Sequence, residues 1–280
     1  MHTVILFYSF VDIANPEVVR DAQRSLCEQL GLKGRILIAT EGINGTLEGT
    51  NDAISAYKKA MGESELFKNM PFKESAGTGQ AFRSLDIRVR NEIVTLGAGK
   101  FDVAKETAAQ MSADELHQLY ESGEDFVVLD LRNDYEIEAG YFEKTEHPNL
   151  RNFRDLPEKI DAIKHLKKKK VVAVCTGGIR CEKATCLLKK EGFEDIHQLK
   201  DGIHTYMQKY PGARFKGTLF VFDNRMTTDV VSVAKREVVG KCTYCGTASE
   251  DFYSDDSQKP SLKVICCRDC IPQHSELRTA

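Results

Sequence analysis

The segment Val171–Glu182 carries the residues whose types and spacing are best suited to chemistry. An apolar run delivers Cys175, the pair Gly177-Gly178 permits a tight backbone turn, and a helix is expected to begin within a few residues. In such a turn successive backbone N–H groups converge on the cysteine sulfur, and the helix N-terminus adds positive potential. Both effects favour a thiolate, or a sulfur anion attached to it, over the neutral thiol. The segment therefore predicts a reactive cysteine at position 175.

The residues that follow Cys175 leave more than one interpretation open. Arg180 either adds positive charge beside the sulfur or braces the loop. Cys181 lies at the expected start of the helix and is either a resolving thiol for an oxidised Cys175 or a structural residue. Cys186 is well inside the helix and is expected in the core. The predicted active-site loop comprises Thr176, Gly177, Gly178, Ile179, Arg180 and Cys181.

A second group of thiols near the C-terminus has the spacing of a metal site. Cys242 and Cys245 form one Cys-x2-Cys pair, and Cys267 and Cys270 form another after 21 intervening residues. Four thiolates in two such pairs suit a tetrahedral structural zinc ion, although the separation exceeds the usual span of roughly 15 to 20 residues. Cys266 is an alternative ligand. Free thiols, redox-variable thiols and occasional disulfides stay as alternatives to a metal.

Alternating strand and helix patterns in the first 98 residues predict a domain that supports this chemistry. Their order is βαββαβ, which is typical of a ferredoxin-like or acylphosphatase-like two-layer sandwich. Asn15-Pro16 predicts the start of the first helix, and Gly31 predicts its end. The predicted strands are Thr3–Ser9, Gly34–Ala39, Asn44–Glu48, Leu85–Val89 and Ile93–Leu96, and the second helix is Asn51–Met61.

Residues 112–214 carry a different pattern, in which continuous apolar strands alternate with helices. Ser112–Glu115 is a capping box that opens the unit. The pattern predicts a parallel sheet covered on both faces, and ligands of such sheets bind at the carboxyl ends of the strands, where Cys175 lies. The predicted strands are Phe126–Leu131, Val171–Val174 and Asp195–Leu199, and the predicted helices are Pro157–Leu166, Glu182–Lys190 and one from Gly202.

The rest of the chain and its composition limit the remaining possibilities. Gly97–Thr107 is expected to be a linker, and residues 215–280 are expected to form a C-terminal extension that opens with a strand at Thr218–Phe222. The net charge of −3 provides no whole-chain basic field, so any nucleic-acid site must be local. The apolar runs are far shorter than the roughly 20 residues that cross a bilayer, and no signal peptide pattern is evident. We therefore expect a cytoplasmic protein with no membrane partner; its oligomeric state is not predicted.

The Cys-x-x-Gly-x-Arg motif of Cys175–Arg180 resembles the active-site loop of rhodanese (sulfurtransferase) domains. Asp130–Gly140 is similar to a conserved stretch of that family, and Leu199–Ile203 resembles its Leu-x-Gly-Gly ending. Asp201 replaces the first glycine of that ending, and Tyr141 replaces a histidine. Related phosphatases place five residues between cysteine and arginine, whereas this loop has four, which suits a single sulfur atom better than a phosphate.

A wider set of matches resembles the rhodanese-domain tRNA uridine(34) hydroxylases (the TrhO family). The resemblance implies a tRNA partner, molecular oxygen as co-substrate, and hydroxylation of the wobble uridine to 5-hydroxyuridine, with Cys175 as the reactive residue. The matching segments are Gly34–Thr46, Asp130–Tyr135, His147–Asn149, Phe153–Arg154, Cys175–Lys183 and Phe220–Arg225.

The sequence leaves the chemical role of Cys175 open. It works as a persulfide, as a thiolate that adds to the uracil ring, or as a thiol that is itself oxidised. A second function, persulfide sulfurtransfer to a small molecule or a protein thiol, uses the same cysteine. A third is tRNA binding without catalysis, against which the intact Cys175 and Arg180 argue. The extra domains favour the tRNA-modifying enzyme, because a small-molecule sulfurtransferase needs no such additions.

Overall fold

Two units make up the chain, Met1–Thr107 and Ala108–Ala280, and each has its own hydrophobic core. The computed structural model describes residues 1–232, 237–257 and 261–278. The domain bounds at 98, 112, 214 and 215 stay predictions. Within the second unit, the described residues after 214 pair and pack with the residues before them.

The first unit is built on a five-stranded sheet with the order β4-β1-β3-β2-β5. Strand β1 pairs antiparallel with β3 and β4, β2 pairs antiparallel with β3, and β5 lies parallel to β2. The predicted acylphosphatase-like class is confirmed. Its elements are β1 His2–Phe10, α1 Pro16–Gln29, β2 Lys33–Ala39, β3 Gly42–Thr50, α2 Asn51–Glu63, β4 Phe72–Gly77, β5 Leu85–Val89 and α3 Val103–Glu106.

The prediction for the end of this unit is wrong in three respects. The fourth strand of the βαββαβ pattern is β4, whose largely polar sequence suits the sheet edge where it lies, and β5 is an added strand at the other edge. Ile93–Leu96 is an irregular segment and not a strand. Its apolar residues Ile93 and Leu96 are nevertheless buried, which explains the apolar pattern. The expected linker Gly97–Thr107 contains the short helix α3.

The second unit contains the parallel sheet predicted from the apolar strands, with the order β6-β11-β10-β7-β9. Its central strand β10 lies parallel to both β7 and β11, so the segment after β10 begins at the carboxyl edge of the sheet. Its elements are β6 Ala109–Met111, α4 Ala113–Ser122, β7 Val127–Asp130, α5 Asp134–Ala139, β8 Gly140–Phe142, β9 Thr145–Glu146, α6 Leu156–Lys159, β10 Lys170–Val174, α7 Ile179–Lys190, β11 Asp195–Leu199 and α8 Gly202–Lys209.

Local signals fixed some of these bounds and missed others. The capping box is present, because Glu115 N donates to Ser112 Oγ and Ser112 N donates to Glu115 Oε2. Helix α7 begins three residues before the predicted Glu182, and the predicted helix Pro157–Leu166 is α6 followed by a 3-10 helix, Ile160–Leu166. Strand β6 and helix α5 were not predicted, since each is too short to show a clear period.

The C-terminal part of the second unit is a set of small sheets. Strand β12 pairs with β8, β13 and β14 form a hairpin, and β16-β15-β17 form a three-stranded sheet. The strand predicted at Thr218–Phe222 is therefore only two residues long. The elements are β12 Phe215–Gly217, β13 Leu219–Phe220, β14 Thr227–Thr228, β15 Phe252–Asp255, β16 Leu262–Ile265 and β17 Leu277–Arg278.

Candidate active site and candidate metal centre

Cys175 directly follows β10, and its sulfur faces the backbone N–H groups of the loop. Gly178 N donates to Cys175 Sγ over 3.2 Å. Gly178 has a φ of 99°, in the left-handed region that favours glycine, and it caps the start of α7. The tight turn that aims the amide at the sulfur therefore depends on the glycine that the sequence supplies.

Several groups act in opposite directions on the pKa of Cys175. The side chain is 1% exposed, and this burial by itself raises the pKa of the thiol. A hydrogen bond from the Cys181 thiol, the positive charge of Arg180 and the backbone N–H groups of Cys181 and Arg180 outweigh burial and lower the pKa to about 6. Cys175 is therefore mostly a thiolate at neutral pH.

Cys181 is the partner that keeps its proton. It is completely buried, and burial followed by the hydrogen bond to Cys175 raises its pKa well above the ordinary value. The adjacent thiols therefore differ in state, one an anion and the other a donor to it. Cys186, one turn further along α7, is buried, and its thiol donates to the carbonyl of Glu182.

Arg180 is fixed by a buried ion pair with Glu136. Arg180 Nη2 donates to Glu136 Oε2 over 2.8 Å, and Nη1 donates to Oε1, so the contact is bidentate. Thr176 joins the pair, since it accepts from Arg180 Nη2 over 3.1 Å and donates to Glu136 Oε2 over 3.2 Å. Arg180 thus braces the loop and also places positive charge beside Cys175. The pairing with Glu136 was not predicted, because 44 residues separate the partners.

A second buried ion pair holds the element that carries Glu136. Arg132 and Asp130 are both completely buried, and their side chains are joined by contacts of 2.6 to 3.1 Å. Arg132 also donates to the carbonyl of Glu136, inside α5, and to that of Gly140, directly after the helix. Asp130 and Arg132, in the stretch that resembles the rhodanese family, therefore have a positioning role.

The start of α8 closes the loop from the other side. Ile203 N donates to the carbonyl of Cys175 over 3.0 Å, and His204 N donates to the carbonyl of Thr176 over 3.1 Å. A Cβ on Gly202 would lie 2.6 Å from the Cys175 carbonyl oxygen, which only glycine avoids. Asp201 has a φ of 62°, and aspartate tolerates this left-handed conformation better than most residues, which explains how it replaces the family's glycine.

The predicted metal ligands Cys242, Cys245, Cys267 and Cys270 lie together, with all sulfur atoms within 4.8 Å of one another. A tetrahedron of Zn–S bonds of about 2.3 Å places sulfur atoms about 3.8 Å apart, so the group can hold a metal ion. The hairpin of β15 and β16 lies within the 21-residue separation and brings the two pairs together. Cys266 is buried and is not a member of the group.

The thiols of this group differ in pKa although they are neighbours. For Cys242, burial raises the pKa, but hydrogen bonds from the backbone N–H groups of Cys267 and Cys245 lower it to about 6. Hydrogen bonding to Thr247 lowers the pKa of Cys245, whereas hydrogen bonds to Cys245 and Cys267 raise that of Cys270.

No helix within residues 1–232, 237–257 and 261–278 combines the length and the apolar character that crossing a bilayer requires.

Three family models match successive parts of the chain. A UPF0176 acylphosphatase-like domain matches residues 2–93, a rhodanese-like domain matches residues 112–209, and a rhodanase C-terminal model matches residues 216–278. The middle model contains the whole of the loop around Cys175, and the last contains the four clustered cysteines.

Curated proteins named tRNA uridine(34) hydroxylase are similar to the chain over nearly its full length. The protein from Cytophaga hutchinsonii is 39% identical over 96% of this chain and 86% of its own length. The one from Staphylococcus haemolyticus is 42% identical over 94% of this chain and 83% of its own. The one from Onion yellows phytoplasma is 38% identical over 95% of this chain and 87% of its own.

Proposed function

The chain belongs to the family of tRNA uridine(34) hydroxylases, and we propose that it hydroxylates C5 of the wobble uridine of tRNA to give 5-hydroxyuridine. The family predicted from the sequence is thereby confirmed. The protein is an oxidoreductase that acts on tRNA, and we place it in the cytoplasm with that substrate. The observation that carries the proposal is the Cys175 thiolate, held by its loop in a chain that matches these enzymes over 96% of its length.

Cys175 supplies the nucleophile in this proposal. Its thiolate adds to C6 of the uracil ring, and a carbon–sulfur bond forms while the electron pair of the C5–C6 double bond moves towards C5 and its carbonyl. The carbon at C5 then has enolate character. It therefore reacts with an oxidant with which the unmodified uracil ring does not react. The lowered pKa provides the anion at neutral pH, and Arg180 and the loop amides hold it without a metal ion.

The oxidant in the proposal is molecular oxygen, and the balance needs a two-electron donor of the thiol class. Uridine, O2 and two thiols give 5-hydroxyuridine, a disulfide and water. One oxygen atom enters at C5, and the thiols reduce the other to water. Departure of Cys175 from C6, together with loss of the C5 proton, restores the double bond and frees the enzyme.

The four clustered cysteines fit zinc in a structural role. Four protein thiolates fill the tetrahedral positions and leave none for a substrate, unlike catalytic zinc sites, which keep one position open. The ion would fix the segments around Cys242 and Cys267. Its chemistry is limited to holding the C-terminal extension in shape.

Nucleoside analysis of tRNA tests this function. In cells that lack the protein, tRNA should contain no 5-hydroxyuridine or its derivatives, expression of the wild-type chain should restore them, and Cys175→Ala should not. Cys186→Ala is the matched control, since it removes a buried thiol of α7 away from the loop, and it should restore the nucleosides. A Cys175→Ala chain that restores them fully would refute the role of this cysteine. Unchanged nucleosides together with lost thiosulfate-to-cyanide sulfur transfer would instead support the sulfurtransferase.

A further inference from the structure

Phe222 is an exposed aromatic side chain on the hairpin of β13 and β14. It is 50% exposed, whereas Phe220, two residues before it, is 1% exposed. A phenylalanine left half in water forgoes much of the free energy that burial of its ring would supply. The hairpin thus presents one aromatic ring to solvent while it anchors the other.

The ring of Phe222 is held by a well-braced turn. Its centroid lies 5.4 Å from that of Phe220, which in turn packs at 5.1 Å against Phe252. Val221 N donates to the Met226 carbonyl over 2.8 Å and so joins the two arms of the hairpin next to Phe222.

A salt bridge stiffens the same turn. The carboxylate of Asp223 accepts from the guanidinium of Arg225 at 2.8 and 2.6 Å and from its backbone N–H at 3.0 Å. The exposed ring therefore sits on a rigid support and loses little conformational freedom when it binds another group.

Arg180 connects this ring to the reactive sulfur. Its guanidinium carbon lies over the ring of Phe222, 5.8 Å from the centroid, while its backbone N–H bonds to Cys175. The same guanidinium is fixed by Glu136 and Thr176. The ring of Phe222 therefore lies beside the loop that holds the thiolate, with half of its surface open.

We propose that Phe222 is a binding residue that stacks on the pyrimidine ring of the target nucleotide beside the loop that holds Cys175. This inference rests on the proposed function. A base in the anticodon loop must leave its neighbours before chemistry can occur on it, and proteins that read single-stranded RNA replace the lost stacking with an aromatic side chain.

A binding experiment with paired RNA hairpins isolates the contact. The probes are an anticodon stem-loop with uridine at position 34 and the same hairpin with an abasic residue there, and affinity is measured by fluorescence anisotropy. Wild-type protein should bind the uridine hairpin about 5- to 150-fold more tightly, the range expected of one base on an aromatic ring. Phe222→Ala should abolish this preference and leave binding of the abasic hairpin unchanged.

Further variants separate stacking from packing. Phe222→Tyr should keep the preference, whereas Phe222→Leu, which keeps an apolar side chain without an aromatic face, should lose most of it. Val18→Ala removes exposed apolar surface from α1 and should change neither affinity. Equal weakening of both hairpins, no preference in the wild-type protein, or a leucine variant that matches the wild type would overturn the proposal.

The proposed function fails by a different observation. If tRNA from cells with the wild-type chain lacks 5-hydroxyuridine while the hairpin preference depends on Phe222, the stacking contact stands and the reaction is wrong. If the nucleoside forms normally with Phe222→Ala, in cells and at limiting tRNA, the stacking role is wrong and the reaction stands.

Discussion

The second unit holds two groups of thiols in which the negative charge of a thiolate is stabilised by different means. Around Cys175 a single anion is stabilised by backbone amides, a neighbouring thiol and Arg180, all supplied by the chain. Around Cys242 four sulfur atoms lie within 4.8 Å of one another, and hydrogen bonds to the neighbouring thiols of Cys245 and Cys267 raise the pKa of Cys270. One thiolate can be held by fixed dipoles, whereas four adjacent thiolates need a cation between them. The comparison predicts that the two regions respond to different perturbations.

Removal of the proposed zinc ion should have the largest effect on folding, and the effect should be confined to the C-terminal cluster. Apparent binding energies of structural zinc are about 10–16 kcal/mol, so Cys242→Ser or a strong chelator should unfold the extension. Native mass spectrometry compared with a denatured sample should show one zinc ion lost per chain, and limited proteolysis should cut after residue 237.

Cys266→Ala is the control for that experiment, because this thiol is buried next to the cluster without belonging to it. It should retain the zinc ion. A zinc content that falls equally in both variants would show that the ligand set has been wrongly assigned.

The loop of Cys175 should depend instead on the chain's own ion pair. Glu136→Gln leaves Arg180 buried without its counter-charge, and removing one partner of a buried pair costs about 3–5 kcal/mol. Urea unfolding should show this decrease in the free energy of unfolding, while zinc content stays at one per chain.

Glu138→Gln, on the same helix, is the matched variant. Burial raises the pKa of Glu138, so its charge costs free energy rather than supplying it, and the amide should leave the unfolding free energy unchanged or slightly higher. If Glu138→Gln destabilises the protein as much as Glu136→Gln, the effect belongs to the helix and not to the ion pair.

The smallest expected effect is that of pH on one group, the thiol of Cys175. Its pKa is lowered to about 6, so the thiolate is present above that pH and lost below it. The absorbance of the thiolate near 240 nm, taken as the difference between wild type and Cys175→Ala, should fall with a midpoint near pH 6 as the pH is lowered. The four clustered cysteines are common to both proteins, so their absorbance cancels in the difference.

The opposite result would be a difference spectrum with a midpoint near pH 9. That result would mean that burial fully offsets the hydrogen bonds and Arg180, and the nucleophilic role of Cys175 at neutral pH would have to be abandoned.

The parts of the fold that the sequence predicted well are those set by local chemistry. The capping box at Ser112 and the strand Asp195–Leu199 depend on neighbouring residues, and both are where expected. Strand β4 was missed because its polar residues, paired only at a sheet edge, show no apolar pattern. The cysteine pairs were found from spacing alone, because two Cys-x2-Cys turns constrain their own geometry.

The supports of the candidate site could not be predicted in the same way. The Glu136–Arg180 pair and the contact of Arg180 with Phe222 join segments that are distant in sequence, and only the parallel sheet and the hairpin bring them together. Glu136 and Phe222 drew notice only through the family resemblance, which supplied no partner for either.

The carbonyl groups of Cys175 and Thr176 are both engaged by the first residues of α8. Rotation of these two peptide planes would break both hydrogen bonds, so the first two peptide groups of the loop are held in place before any reactant arrives. The backbone N–H groups of the loop and Arg180 would act in the same way on any anionic group attached to the sulfur of Cys175. Selectivity between reactions must therefore come from the residues around the loop, which can differ among proteins while the loop itself stays the same.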